Sequence, residues 1–418
     1  MRYNPKNKSD QNKKPFIPFA LPEISEDEIN EVVDTLRSGW LTTGPKTKIF
    51  EEKFAEYIGC KHALAVSSGT AGLHLSLEAS GITQGDLVIT TPYTFTATAE
   101  VIRYLGAEPL FIDISHETFN IDVNLIKKKL VNGTVCISDG NQSYKTIECD
   151  RVKAIMPVHF GGQACDMDEI KLISKDYNLK IIEDAAHALP CTYNGHKIGT
   201  IGDSTVFSFY VTKPLATGEG GMITTDSDNI AKRIKIMRLH GINRDVWDRY
   251  VSNVPNWYYE VVAPGYKYNI SDIMSSIGIH QLNKVDLYQK RRMKIAKYYN
   301  YEFKDLPVKV PFVSESIEAH SWHLYVLQLE IEKLSINRNE FIKKMAMAGI
   351  GTSVHFIPLH IQPYWKERYR FKPEEFPVSY DCFNRSVSLP IYSKMSDADV
   401  ERVANTVKKI IMENARDV

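Results

Sequence analysis

Residues 204–226 read Ser204-Thr205-Val206-Phe207-Ser208-Phe209-Tyr210-Val211-Thr212-Lys213-Pro214-Leu215-Ala216-Thr217-Gly218-Glu219-Gly220-Gly221-Met222-Ile223-Thr224-Thr225-Asp226. An apolar run leads to one lysine, a turn of small residues follows, and Met222 to Thr225 reads as a second strand. Burying an ammonium is costly. Desolvation lowers the pKa of a lysine held between two buried strands and frees its amine to attack a carbonyl. Taken alone, Lys213 reads as a loop lysine in water. Its partners elsewhere in the chain decide between the two.

Upstream, strands and helices alternate. His62 to Val66, Asp86 to Thr90, Pro109 to Asp113, Val152 to His159 and Leu179 to Asp184 are short apolar strands. Between them, Ala71 to Ala79, Thr94 to Tyr104, Val123 to Leu130 and Met167 to Tyr177 read as helices. Two-sided apolar strands separated by helices predict an α/β fold with a mostly parallel sheet covered on both faces. Ligands of such sheets collect at the C-terminal strand ends. Residues 132–150 break the rhythm and read as a surface insertion, a small hairpin. Ser25 to Glu28 reads as a capped helix start, Lys46 to Tyr57 as a second helix, and Ser271 to Tyr299 as a long helix preceded by an aromatic stretch, Val246 to Tyr268. The expected organisation is a disordered basic arm over 1–15, a large α/β domain over 16–260, and a smaller α+β domain over 261–418 that includes the connecting helix and closes with Asp397 to Met412.

The 418 residues hold 51 Lys+Arg and 51 Asp+Glu, a formal net charge of zero. That balance argues against a general nucleic-acid or membrane-surface binder. The polar start, MRYNPKNKSDQNKK, is not read as a secretory signal, and no apolar run approaches a membrane span. The scattered cysteines contain no CxxC pair and read as reduced thiols of a cytoplasmic protein. No metal site is expected.

Several positions carry chemistry. Ser67-Ser68-Gly69-Thr70 joins a strand to a helix start, where free amides and the helix dipole suit a phosphate; it serves as well as an ordinary capped turn. Asp184 ends an apolar strand and is placed to protonate a pyridine nitrogen or to cap a helix. His187 is placed to contact the ring oxygen or to pack. Phe95 suits stacking on a flat ring as well as a core. Ser208 sits five residues before Lys213, within reach of a phosphate. Each has an ordinary structural reading, but none of those readings accounts for the set together.

The ordered phrases Gly39-Trp40-Leu41-Thr42-Thr43-Gly44-Pro45, Ser68-Gly69-Thr70-Ala71, Pro157-Val158-His159, Glu183 to Ala188, Ser208 to Gly221 and Gly265 to Gln281 resemble those of the DegT/DnrJ/EryC1/StrS sugar aminotransferases, pyridoxal-phosphate enzymes of the aspartate aminotransferase fold (fold type I). The resemblance runs from about Phe16 to the C-terminus. It implies Lys213 as the Schiff-base lysine and proton shuttle, and Asp184 as the pyridinium partner. It also implies Phe95 as the stacking aromatic and Gly69, Thr70 and Ser208 as the phosphate cradle, with His187, Lys267 and Asn269 as further cofactor contacts. Thr42, Thr43, His159, His323 and His355 stand where relatives contact substrate. An obligate homodimer with shared sites is implied. The chain departs from many relatives at Tyr210, where they carry histidine, and at Lys267, where they carry asparagine.

The implied reaction is transamination from L-glutamate to a nucleotide-linked keto-sugar. The variant phrases at Lys267 and at Gly349-Ile350-Gly351-Thr352 are most similar to those of C4-aminating members. C3 amination is the enzymatic alternative, and a non-catalytic cofactor-binding regulator or scaffold the other. A Rossmann dehydrogenase is excluded because the first strand-to-helix turn lacks GxGxxG.

Overall fold

The computed structural model describes residues 15–138, 144–243 and 258–416. Residues 1–14 of the expected N-terminal arm, and Trp247 and Trp257 of the aromatic stretch, lie outside those residues. A seven-stranded sheet forms the frame, in the order His62–Val66, Gly221–Thr225, Ser204–Ser208, Lys180–Asp184, Val152–Ile155, Leu87–Thr90, Glu108–Phe111. Neighbours pair in parallel except around Gly221–Thr225, which runs antiparallel to both its partners. No helix separates Ser208 from Gly221, so the chain returns without the crossover that a parallel pair needs.

The strands alternate strictly between two buried faces. Leu64, Val66, Val206 and Ile223 pack with Leu73, Leu77 and Ile234 on one side. Ala63, Ala65, Phe207 and Met222 pack with Phe50 and Phe54 on the other. The helices carry side-chain caps, of which the one at Ser25 is expected from the sequence. Ser25 and Glu28 form a reciprocal capping box at Glu26–Ser38, and Asp122 and Asp166 cap Val123–Leu130 and Met167–Tyr177. Each such cap contributes about 1 kcal/mol.

A second, three-stranded antiparallel sheet joins Val308–Lys309, Tyr325–Leu329 and Ser386–Leu389. Its core holds Trp322, Tyr325, Phe341 and Val403 of the closing helix Asp397–Glu413. The helix Asp272–Phe303 serves both halves: Ile279, Leu282 and Val285 pack with Phe50 and Phe54, whereas Ile295, Tyr299 and Phe303 pack in the C-terminal core. A division at residue 261 therefore does not follow the packing. Tyr266 and Tyr268 lie against the large-sheet core, and the peptides of Ser67 and Tyr268 bond at 2.7 Å. At the other end of the chain, Ile17 belongs to the C-terminal core. The 132–150 insertion is a hairpin, Thr134–Ser138 paired with Tyr144–Glu148. Among the described residues, no helix is long and apolar enough to cross a membrane.

Candidate active site

Five strand ends and the C-terminal unit enclose a cavity of about 570 Å³. Lys213 enters it from the loop after Ser204–Ser208. That loop is folded back on itself: Lys213 N donates to Tyr210 O at 2.8 Å, and Phe209 exchanges bonds with Thr217 and Gly220 at 2.9 Å. Desolvation brings the Lys213 amine down to about 8 from its ordinary 10.5, with the charge of Asp184 opposing the shift.

Asp184 lies at the end of Lys180–Asp184 and is 5% exposed. Burial raises its carboxyl above the ordinary range, against the hydrogen bonds of Thr98 and Ala186 and the charge of Lys213. Thr98 Oγ1 donates to Oδ2 at 2.7 Å, and Ala186 N donates to Oδ1 at 3.2 Å. Both oxygens are thereby oriented.

Three imidazoles complete the wall. His187 and His323 lie 4.5 Å apart between ring centroids, and Phe356 stacks on His187 at 5.8 Å. Gly161 N donates to His187 Nδ1 at 3.2 Å, and His355 Nδ1 pairs with Ser388 Oγ at 2.8 Å. Burial holds all three below the ordinary histidine range, His355 at about 3, and the nearby Lys213 charge adds to the effect. They are neutral at physiological pH. His323 Nδ1 is buried without a partner.

At the opposite end, the helix Gly69–Ala79 points its N-terminus into the cavity, with Ser68 Oγ accepting from Ala71 N at 3.0 Å. The amides of a first helical turn have no ladder partner. Gly69 leaves room for Ser208, since a Cβ there would stand 3.1 Å from Ser208 Cβ. Phe95, 61% exposed, lines the cavity. A helix N-terminus, a desolvated amine, an oriented carboxylate and an exposed aromatic face fit pyridoxal phosphate part by part.

The structure thus gathers Gly69, Thr70, Phe95, Asp184, His187, Ser208, Lys213, His323 and His355 around one cavity. It does not bring the other expected residues there. His159 is fully buried behind the site, with Nε2 against Glu183 Oε2 at 2.9 Å and Nδ1 accepting from Cys165 N at 3.0 Å. Both its ring nitrogens are engaged, so it supports the sheet end and does not face substrate within this chain. Thr42, Thr43, Lys267 and Asn269 form a separate patch. Asn269 Nδ2 donates to Thr43 Oγ1 at 2.6 Å, Lys267 Nζ donates to Asn269 Oδ1 at 2.5 Å, and Thr42 O accepts from Asp272 N at 3.2 Å. Thr43 and Asn269 line another cleft, of about 300 Å³, with Lys235 and Arg238.

Sequence reasoning missed Thr98, Phe19 and Phe356. Thr98 had a local signal: it follows Thr94 by one helical turn, and the two hydroxyls are 2.7 Å apart. Phe19 and Phe356 reach the cavity through the C-terminal unit and leave no local signal.

The profile of the DegT/DnrJ/EryC1/StrS aminotransferase family matches residues 22–408. The chain belongs to that family. It is 52% identical over 399 residues to the uncharacterized protein MJ1066 of Methanocaldococcus jannaschii, covering 96% of this chain and 98% of the relative. It is 46% identical over 403 residues to the spore coat polysaccharide biosynthesis protein SpsC of Bacillus subtilis, with 96% and 98% covered. A solved structure of the putative sugar aminotransferase Spr1654 from Streptococcus pneumoniae, in its PMP form, superposes with a TM-score of 0.84 at 33% identity, covering 95% of this chain and 99% of that one. The same protein is also known in a PLP form. The DegT/DnrJ/EryC1/StrS enzyme described here is accordingly an aminotransferase of fold type I, and pyridoxal phosphate is its cofactor.

Proposed function

We propose that this enzyme moves the amino group of L-glutamate to C4 of a nucleotide-linked 4-keto sugar, in the cytoplasm, toward an amino sugar for a cell-surface polysaccharide. The observation that carries the chemistry is the desolvated Lys213 amine in one cavity with the buried, doubly bonded Asp184 carboxylate. The polysaccharide role is supported by the name of the Bacillus subtilis relative, and C4 by the resemblance at Lys267 and at Gly349 to Thr352.

Pyridoxal phosphate, when bound, supplies an electron sink for the carbon whose proton must move. The chain does the rest. The amides of Gly69 and Thr70 and the hydroxyl of Ser208 would hold the phosphate, Asp184 would pair with the ring nitrogen, and Phe95 would cover the ring. Thr98 fixes the Asp184 carboxylate and excludes water from Oδ2. Lys213 Nζ, brought down to about 8 by burial, accepts the proton from the donor's amino-bearing carbon and holds it for return. The neutral imidazoles of His187, His323 and His355 offer hydrogen bonds to sugar hydroxyls without adding positive charge beside Lys213. In a homodimer, Thr42, Thr43, Lys267 and Asn269 serve the partner's site, which accounts for their distance from Lys213 in their own chain.

The test incubates the enzyme with L-glutamate and UDP- or dTDP-linked 4-keto-6-deoxyhexoses and follows 2-oxoglutarate and the product by NMR. An amine at C4 is expected. An amine only on 3-keto sugars overturns the C4 assignment, and no 2-oxoglutarate with any acceptor overturns the reaction. Sedimentation as an active monomer would overturn the shared site.

A further inference from the structure

The segment Phe16–Ala20 lies far in sequence from every residue of the lysine cavity, yet it forms part of its wall. Ile17 pairs in parallel with Ile350: Ile17 N donates to Gly349 O at 2.9 Å, and Gly351 N donates to Ile17 O at 2.8 Å. Ile17 is 3% exposed in the C-terminal core. Arg402 closes the attachment from outside, donating through Nη1 to Pro15 O at 2.6 Å and through Nη2 to Ala348 O at 2.7 Å. Gly351 makes room for it, since a Cβ there would stand 2.9 Å from Phe19 N.

A parallel register carries consequences along both strands. Two residues beyond Ile17, Phe19 turns into the cavity, and five beyond Ile350, His355 does the same. The two rings lie 5.5 Å apart at an interplanar angle of 30°. Phe356, the next residue, is in tilted ring contact with Phe95 at 6.2 Å. Phe19, His355 and Phe356 thus line the cavity together with Phe95.

We propose that Phe19, held by this N-terminal strap, is a specificity-determining residue that packs on the apolar C–H face of the sugar. The inference rests on the sugar reading of the site. Its physical ground is that an aromatic face adds its own increment beyond buried area, while the amino donor, which has no ring, gains nothing from it. The strap ties the sugar wall to the same element that carries His355, so hydrogen bonding and stacking to the acceptor are set together.

Phe19→Ala, Phe19→Leu and Arg402→Gln test it in the holoenzyme. For Phe19→Ala, KM for UDP- or dTDP-linked 4-keto-6-deoxyhexose should rise about tenfold, equivalent to about 1.4 kcal/mol. Conversion of the bound cofactor by L-glutamate should stay within about twofold. Phe19→Leu keeps the core contact and loses the aromatic face, so its KM should rise too. Arg402→Gln, remote from the cavity, should shift KM in the same direction by less. A second readout needs no sugar: hydroxylamine should strip the lysine-linked cofactor faster from Phe19→Ala and Arg402→Gln than from wild type. An unchanged KM in Phe19→Ala, or an equal loss in the glutamate half-reaction, overturns the proposal. If no keto-sugar is turned over by wild type, the sugar reading fails, and an unchanged hydroxylamine rate then overturns the strap as well.

Discussion

Lys213→Met is the substitution whose outcome follows most directly from the electrostatics. In the cofactor-free protein, the amine titrates at about 8 in place of 10.5, because burial disfavours its charge more than Asp184 favours it. At pH 7, roughly one amine in ten is then neutral, against about one in three thousand for an ordinary lysine. Below pH 8, both folded and unfolded chains carry the proton, and the folded chain bears the full desolvation cost. Between pH 8 and 10.5 the unfolded chain binds more protons than the folded one, so this group's contribution to stability rises with pH and the cost is removed. At 1.36 kcal/mol per pKa unit the cost is about 3 kcal/mol, and about 2 kcal/mol once partial solvent contact is allowed. Replacing the amine by an apolar chain of similar length should remove it. Urea titrations of the apo-proteins at pH 7 should therefore find Lys213→Met more stable than wild type by about 2–3 kcal/mol, with the gap shrinking by pH 9.5. A destabilised variant at pH 7, or a gap independent of pH, would refute the claim that the site strains its lysine.

Three other substitutions probe the groups around it. Thr98→Val removes the donor to Asp184 and should cost about 1.5–3 kcal/mol, seen as weaker cofactor affinity by one to two orders of magnitude in equilibrium dialysis. Gly69→Ala pushes a methyl against Ser208 at 3.1 Å and should slow cofactor uptake from solution while leaving thermal unfolding nearly unchanged. Glu183→Ala leaves His159 Nε2, Gly202 N and Thr205 Oγ1 without their buried acceptor and should destabilise the apo-protein by about 3–5 kcal/mol in a urea titration.

Much of the frame is legible in the sequence because local patterns specify it. The strand at Lys180–Asp184 and the helices at Val123–Leu130 and Met167–Tyr177 follow from apolar runs and their spacing alone. The lysine loop is legible because a charge between two buried strands needs an explanation. What escaped depends on direction. His159 and Asp184 end neighbouring strands and look alike in sequence. Asp184 faces the cavity, whereas Glu183, one residue earlier and so on the other face, turns away and takes His159 with it. The positive-φ glycines Gly161 and Gly162 then turn the chain over it. Thr43 and Asn269 carry suitable chemistry, but their own chain folds them to a different cleft. Phe19 has no local pattern, because its place is fixed by a bridge to Ile350 more than three hundred residues on. For the same reason, a chain boundary at 261 cannot describe packing that returns to residue 17.

The most direct measurement is the visible spectrum of the holoenzyme, with and without L-glutamate, beside that of Lys213→Ala. A lysine-linked cofactor should give a yellow band that L-glutamate bleaches in wild type. Lys213→Ala should show free-aldehyde absorbance and no turnover. A yellow, fully active Lys213→Ala, or a wild-type protein that stays colourless with added pyridoxal phosphate, would contradict Lys213 as the group on which the site is built.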